Sequence, residues 1–265
     1  MCACPACDRM LLTKPAVGER LLRDSGPAVA FWRGADLAGF GETIASDLAS
    51  AMPDYRVADY FRAKPDIVGS QSGVVLATDR ETGRVVALLV ATRHSIETAG
   101  YVSLDTILVA QQYQRTTLSA RMLTCLVKGM ATSSLELPSF LMLTTGNPTS
   151  YCMASSFIRL ADARVYPRIT GDQDPGDASL AATLAKIHRP LFSFCKRTGV
   201  LAGGAGSVPP DFYPQVPISR NREANAYFAR HLGPSDRLMC LMIFPDTQAK
   251  VRLWKFLVRE ERTSA

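Results

Sequence analysis

The stretch Val102–Met130, VSLDTILVAQQYQRTTLSARMLTCLVKGM, changes its hydrophobic period part-way along. Val102, Leu104, Thr106, Ile107, Leu108 and Val109 have the apolar and β-branched composition of a strand. Leu118, Met122, Leu123, Leu126 and Val127 then recur by threes, fours and ones, which puts them on one face of a helix. Between the two, Gln111–Thr117 is polar and free of proline and acidic residues, so it turns the chain while leaving the first amides of the helix unengaged. Such amides attract anions, phosphates above all.

Upstream of this unit, Val74–Leu76 and Arg84–Thr92 read as two strands joined by the turn residues Asp79–Gly83, a hairpin. Before them, Asp36–Ala51 carries Leu37, Phe40, Ile44 and Leu48 at helical spacing and is stopped by Pro53. A short helix is expected over Val17–Arg23. Downstream, Ser139–Thr145 is a short apolar strand closed by Gly146, Asn147 and Pro148. A helix follows over Thr149–Leu160, and Val165–Pro167 returns as an edge or loop.

Gly171–Asp177 punctuates the chain and marks the best internal boundary. Beyond it come a helix from Ala178 toward Pro190 and a glycine- and proline-rich loop, Gly203–Pro217, that carries Phe212 and Tyr213. That loop is expected to wrap the surface, with covering a ligand site as the alternative. Arg222–His231 reads as a helix, and Arg237–Phe244 with Val251–Val258 as a terminal hairpin. The expected organisation is a tail with a short helix over 1–30, a core over 31–170, an insertion or extension over 171–236, and a closing hairpin over 237–265.

At 265 residues, 47% of them hydrophobic, the chain can bury a substantial core. Its formal charge of +6 favours anionic partners without choosing between a phosphorylated cofactor and nucleic acid. Lys250, Arg252, Lys255, Arg259 and Arg262 form a basic run near the end, but Glu260 and Glu261 dilute it, which weighs against nucleic acid. No run approaches the roughly 18 apolar residues of a membrane span, and no secretory signal is read at the N-terminus. Cys125, Cys152, Cys195 and Cys240 sit singly and read as free buried thiols, and the odd total of seven fits a reducing, cytoplasmic setting. Cys2, Cys4 and Cys7 crowd a polar start that reads as a tail, with zinc binding or reversible acylation as alternatives.

The chain contains no GxxxxGK[ST], no GxGxxG after a strand, no HExxH and no GxSxG. What remains is the phosphate cradle. Here Gln114-Arg115-Thr116-Thr117-Leu118-Ser119, after a long strand and at the mouth of a helix, resembles the acyl-CoA motif Q/R-x-x-G-x-G/A of the GNAT superfamily of acyl-CoA-dependent N-acyltransferases. Gln114 matches the first position, while Thr117 and Ser119 stand where the glycine and the second small residue are expected. Leu141–Thr145, Asn147 and Ser156–Phe157 resemble the second family element, a strand followed by asparagine and a helix ending in Gly-Phe.

The resemblance implies an α/β (α+β) fold with a mixed, mostly antiparallel central sheet flanked by helices. It also implies acetyl-CoA or another acyl-CoA as co-substrate, its pyrophosphate against the amides of Arg115, Thr116, Thr117, Leu118, Ser119 and Ala120. The sheet would splay near Asn147, and the amide of Leu108 or Val109 would polarise the thioester carbonyl. Replacing both glycines removes the closest backbone approach to phosphate, although threonine and serine hydroxyls and the Arg115 and Arg121 cations can compensate.

For the chemistry, an amine must be neutral when it attacks, so a carboxylate near the central strand is useful. Asp105 interrupts that strand and is the candidate base, with Glu97 a weaker one. The general acid implied by the family is a tyrosine on the second helix. Its usual position holds Cys152, with Tyr151 one residue earlier, about 100° round the helix. Tyr151 is the candidate acid, and Cys152 an alternative. The function expected is direct transfer of an acyl group to a small-molecule or protein amine in a ternary complex, since no cysteine carries a sequence-adjacent base. The alternative is a GNAT-like module that binds without catalysing.

Overall fold

The computed structural model describes residues 26–97, 99–134, 137–159, 163–205, 208–209, 212–215 and 217–262. Cys2, Cys4, Cys7 and the helix expected over Val17–Arg23 lie outside them, as does the side chain of Phe157.

In chain order the elements are β1 (Ala28–Trp32), α1 (Gly41–Ala51), α2 (Val57–Ala63), β2 (Gly73–Thr78), β3 (Val85–Ile96), β4 (Ala99–Val109), α3 (Leu118–Ser134), β5 (Phe140–Thr145), α4 (Pro148–Arg159), β6 (Arg164–Tyr166), α5 (Pro175–His188), β7 (Phe194–Cys195), β8 (Val200–Leu201), α6 (Arg222–His231), β9 (Arg237–Ile243) and α7 (Thr247–Arg262). The strands form one mixed sheet in the order β1-β2-β3-β4-β5-β9-β8-β7, with β6 also paired to β9. All pairs are antiparallel except β4 with β5. Among the described residues no helix is long and apolar enough to cross a membrane.

Val85–Ala91 of β3 is buried without a break, so this strand is covered on both faces and shows none of the alternation of a half-wet strand. On α3, the buried residues Leu118, Met122, Leu123, Leu126, Val127 and Met130 form the stripe that packs against β1 and β2. Gly129 lets that helix approach Phe31, whose ring would lie 2.2 Å from a Cβ placed there. On the neighbouring strands Val102 and Leu141 enter the main core, whereas Tyr101, Phe140 and Met142 enter a second one beneath α5. Alternation therefore supplies both faces of the sheet with apolar side chains.

The last segment corrects the expected terminal hairpin. Residues 251–258 are helical: Ala249 and Leu253, four apart, are both fully buried, and Asp246 Oδ1 caps the Ala249 amide at 2.7 Å. Val251 and Trp254 point outward instead. β9 enters the sheet without a hairpin partner after it, between β5 on one side and β6 and β8 on the other. Residues 171–236 hold α5, β7, β8 and α6, a loop of structure lying between β6 and its neighbour β9. One of the cysteines read as buried, Cys195, is exposed at the edge in β7.

Candidate functional site

β4 and β5 run in parallel register from Tyr101–Phe140 to Leu104–Leu143, and their pairing ends there. β3 stays bonded to β4 as far as Val109. The β4 edge from Asp105 to Val109 is therefore open toward the departing β5. At the fork, the register of β3 against β4 shifts between Val90 and Ala91 and leaves Asp105 unpaired, a bulge that bends the strand.

The direction of the open edge follows from one bond. Ala110 N donates to Val86 O at 2.9 Å, on the β3 side. Backbone groups alternate sides along a strand, so Val109 and Ile107 aim their amides into the gap and Leu108 aims its own at β3. Of the two amides nominated by sequence, Val109 faces the gap and Leu108 belongs to the ladder. Val109 O also points into the gap, where Gln114 Nε2 donates to it at 3.0 Å.

Gln114 is thus a brace. The same nitrogen donates to Tyr55 Oη at 3.1 Å and ties the α1–α2 connection to the strand edge. After it, Arg115 adopts φ 64°, the left-handed conformation that turns the chain into α3. Thr116 Oγ1 donates to Tyr113 O at 2.6 Å and accepts the Leu118 amide at 3.2 Å. Among the described residues no acceptor engages the amides of Ser119 and Ala120. The start of α3 thus has the open amides and partial positive charge that favour anions, with Arg115 and Ser119 on the cleft wall.

The second wall is the start of α4. Asn147 Oδ1 caps the helix by accepting the Thr149 amide at 2.8 Å, with Pro148 in the first helical position. Between the two helix starts lies a cleft of about 350 Å³, lined by Ile107, Leu108, Val109, Gln114, Asn147 and Met153 among others. Tyr55 and Tyr213 line it too, their rings edge-to-face with centroids 6.1 Å apart. Burial pushes the Tyr213 hydroxyl pKa up, opposed by nearby Arg237 and by a hydrogen bond from the Asn147 side chain. Contrary to the expected surface wrap, Phe212, Tyr213, Pro214, Gln215 and Pro217 line the cleft.

The two residues nominated for proton transfer stand apart from this lining. Tyr151 is buried, its hydroxyl donating to Pro167 O at 2.9 Å and its ring against Phe228. Burial pushes its pKa well up. It belongs to the core, as the offset on the helix foreshadows. Cys152, its neighbour, accepts from Ser219 Oγ at 3.2 Å. Asp105 is exposed at the fork, one residue beyond the last β4–β5 pair. Its Oδ1 accepts from Ser103 Oγ at 2.8 Å and its Oδ2 from Thr92 Oγ1 at 2.5 Å. The chain of contacts continues from Ser103 Oγ to His94 Nε2 at 3.0 Å, while His188 Nε2 meets Tyr101 Oη at 2.7 Å and the two imidazoles pack edge-to-face. Burial holds both imidazoles below the usual histidine range, so they are neutral at pH 7.

Sequence reasoning missed Tyr55, Met52 and Asp54 in the cleft and noted Tyr213 only as part of a loop. The aromatic pair embedded between glycines and prolines was the available signal.

The architecture is GNAT-like. It rests on the mixed sheet and its flanking helices, with the parallel β4–β5 pair that parts over a helix start. No protein-family model and no curated protein matches the chain. Among solved structures, it is similar to the diaminobutyrate acetyltransferase EctA of Paenibacillus lautus, bound to L-2,4-diaminobutyric acid and coenzyme A, at 15% identity over 53% of this chain and 80% of that one, TM-score 0.35. The GNAT-family N-acetyltransferase YhbS of Escherichia coli, in complex with CoA, is 17% identical over 53% and 69%, TM-score 0.34. A putative GNAT-family acetyltransferase from Desulfovibrio desulfuricans is 14% identical over 82% and 99%, TM-score 0.38.

Proposed function

We propose that the chain is an acyl-CoA-dependent N-acyltransferase that passes an acyl group directly to an amine in a ternary complex. The parting of β4 and β5 after Leu104 and Leu143 carries this reading. It leaves a strand edge with an amide and a carbonyl to spare at Ile107 and an amide at Val109. An extended amide-bearing chain such as pantetheine adds to such an edge as an extra strand. The open amides of Ser119 and Ala120, with Arg115, would hold the pyrophosphate. Thr117 and Ser119 in place of glycines still offer their amides, because an amide donates whatever side chain its residue bears.

A bound acyl-CoA supplies the thioester. The amine nitrogen attacks its carbonyl carbon, the carbon–sulfur bond breaks, and the thiolate departs to be protonated. Val109 N–H stabilises the negative charge that develops on the carbonyl oxygen. Asp105, at the fork, takes the proton released by the amine, directly or through a water. Tyr55 and Tyr213 are the cleft phenols available to protonate the thiolate, in place of Tyr151. Tyr55 Oη accepts from Gln114 and Tyr213 Oη from Asn147, which leaves each hydroxyl proton free to be donated.

Calorimetric titration with acetyl-CoA, CoA and the phosphate-free thiol pantetheine tests the reading. Micromolar binding of the first two, weaker binding of pantetheine and loss of CoA binding in Ser119→Glu support it; absence of acetyl-CoA binding by correctly folded protein rejects it. A binding module without catalysis is the second reading, favoured by the exposure of Asp105 and the burial of Tyr151. It predicts CoA binding with no thiol release in the presence of any amine.

A further inference from the structure

On the other side of Tyr213 lies a second cavity, of about 880 Å³, which shares Phe212, Tyr213, Pro217 and Ile218 with the cleft. Its wall is largely apolar, with Val208, Phe228, Ala229 and Leu232 added to the shared residues. A half-buried cation interrupts that wall. Arg237, the first residue of β9, donates from Nη1 to Asp236 O at 2.7 Å and to Pro234 O at 3.3 Å. Among the described residues no carboxylate pairs with it, and its Nε and Nη2 have no acceptor. The carboxylate of Asp236 is committed elsewhere, accepting the Gly203 amide at 2.8 Å on Oδ1 and the Gly233 amide at 2.8 Å on Oδ2.

A guanidinium taken half out of water with no carboxylate bonded to it is costly unless something completes it. Burial pushes the Arg237 pKa down, opposed by the nearby Tyr213 hydroxyl and Asp236 carboxylate. Two free nitrogen donors in one plane suit the two oxygens of a carboxylate. The position is also informative. Arg237 packs against Gly146, where a Cβ would meet Nη1 at 3.1 Å, and the next residue, Asn147, lines the cleft. The Gly146–Asn147 segment therefore connects Arg237 to the cleft wall.

We propose that this cavity is the acceptor site, and that its ligand is an apolar amine bearing a carboxylate, an amino acid or short peptide. Arg237 grips the carboxylate through two parallel hydrogen bonds, Phe212 and Phe228 cover the apolar body, and the amine passes Tyr213 toward the cleft. The word acceptor rests on the acyl-CoA reading; the anion site in the apolar cavity does not.

The test pairs L-phenylalanine with 2-phenylethylamine, which share ring and amine and differ by the carboxylate. Each is titrated calorimetrically into the full chain, with and without CoA. The expected result is binding of L-phenylalanine at least about 10-fold tighter than 2-phenylethylamine, a preference abolished in Arg237→Met and partly restored in Arg237→Lys. CoA affinity stays unchanged in both variants, which also shows that they are folded. Equal binding of the two probes, binding of neither, or a preference that survives Arg237→Met overturns the proposal. If CoA fails to bind while the carboxylate preference stands, the acyl-CoA reading falls and the anion site remains.

Discussion

Gln114 Nε2 lies 3.0 Å from the carbonyl oxygen of Val109, where a neighbouring strand would otherwise put an amide. One side chain thus stands in for the missing strand at the end of the open edge, and its second bond, to Tyr55 Oη at 3.1 Å, fixes a cleft phenol at the same time. Gln114→Leu leaves both oxygens without this donor in a partly buried place. The expected cost is about 1–2 kcal/mol of stability, read from urea unfolding, together with weaker CoA binding. A variant with unchanged stability and unchanged CoA affinity would show that Gln114 braces nothing.

Arg115 occupies the left-handed region at φ 64° while its side chain lines the cleft, so two of its properties act in opposite directions. Relief of the backbone conformation in Arg115→Gly is worth about 0.5–1 kcal/mol after the extra entropy of glycine is counted. Loss of the cation removes a phosphate partner. The variant is expected to unfold at higher urea than the parent, yet to bind CoA more weakly and with a shallower dependence on salt. A fall in stability would contradict the first half, and unchanged salt dependence the second.

Much of the fold was legible because hydrophobic period changes where the secondary structure does. The switch from Val102–Val109 to Leu118–Met130 marks β4 and α3, and Gly146-Asn147-Pro148 marks the cap of α4. Period failed at residues 251–258, where Val251 and Leu253, two apart, mimic a strand. The decisive contacts, Asp246 capping Ala249 and Leu253 buried beneath, are partly non-local. The site was legible only where it is built of backbone. Tyr55 and Tyr213 reach the cleft from irregular connections, which carry no period, and Arg237 reads along the chain as an ordinary charged strand start. The residues that share its cavity, Gly203, Val208, Phe212 and Phe228 among them, come from other parts of the chain.

Tyrosines 151 and 213 separate core from cleft. Tyr151→Phe removes the hydroxyl donated to Pro167 O and leaves that carbonyl unpaired, an expected loss of about 1 kcal/mol of stability with little change in turnover. Tyr213→Phe keeps the ring packed on Phe212 and Tyr55 and removes the cleft hydroxyl. With an amine that proves to be a substrate, kcat is expected to fall about 10–100-fold in Tyr213→Phe while KM for acetyl-CoA holds. Steady-state kinetics of both variants beside urea unfolding decide the matter. Loss of turnover in Tyr151→Phe with retention in Tyr213→Phe would return the acid role to the helix.

His94 and His188 extend the contacts of Asp105 into the interior, and their protonation gives the fold a pH dependence of known sign. Burial is the largest influence on each and lowers its pKa below 6.5; His94 and Arg189 disfavour the charge of His188, and Asp105 opposes the shift at both. Below 6.5 the unfolded chain takes up protons at these sites while the folded chain does not, so the unfolded state binds more protons and stability falls as pH falls. The loss begins near pH 6.5 and continues until pH passes the depressed values, below which both states are protonated. Thermal unfolding followed from pH 7.5 to 5.5 is expected to show a falling midpoint, and His94→Gln with His188→Gln to flatten that slope. Asp105→Asn removes the favourable field of the carboxylate, so it should lower both histidine pKa values further and shift the acid end of the window down, visible as later imidazole titration by NMR. A midpoint that rises between pH 7.5 and 5.5, or a slope untouched by both histidine substitutions, would mean that the pair is solvated and not part of the interior.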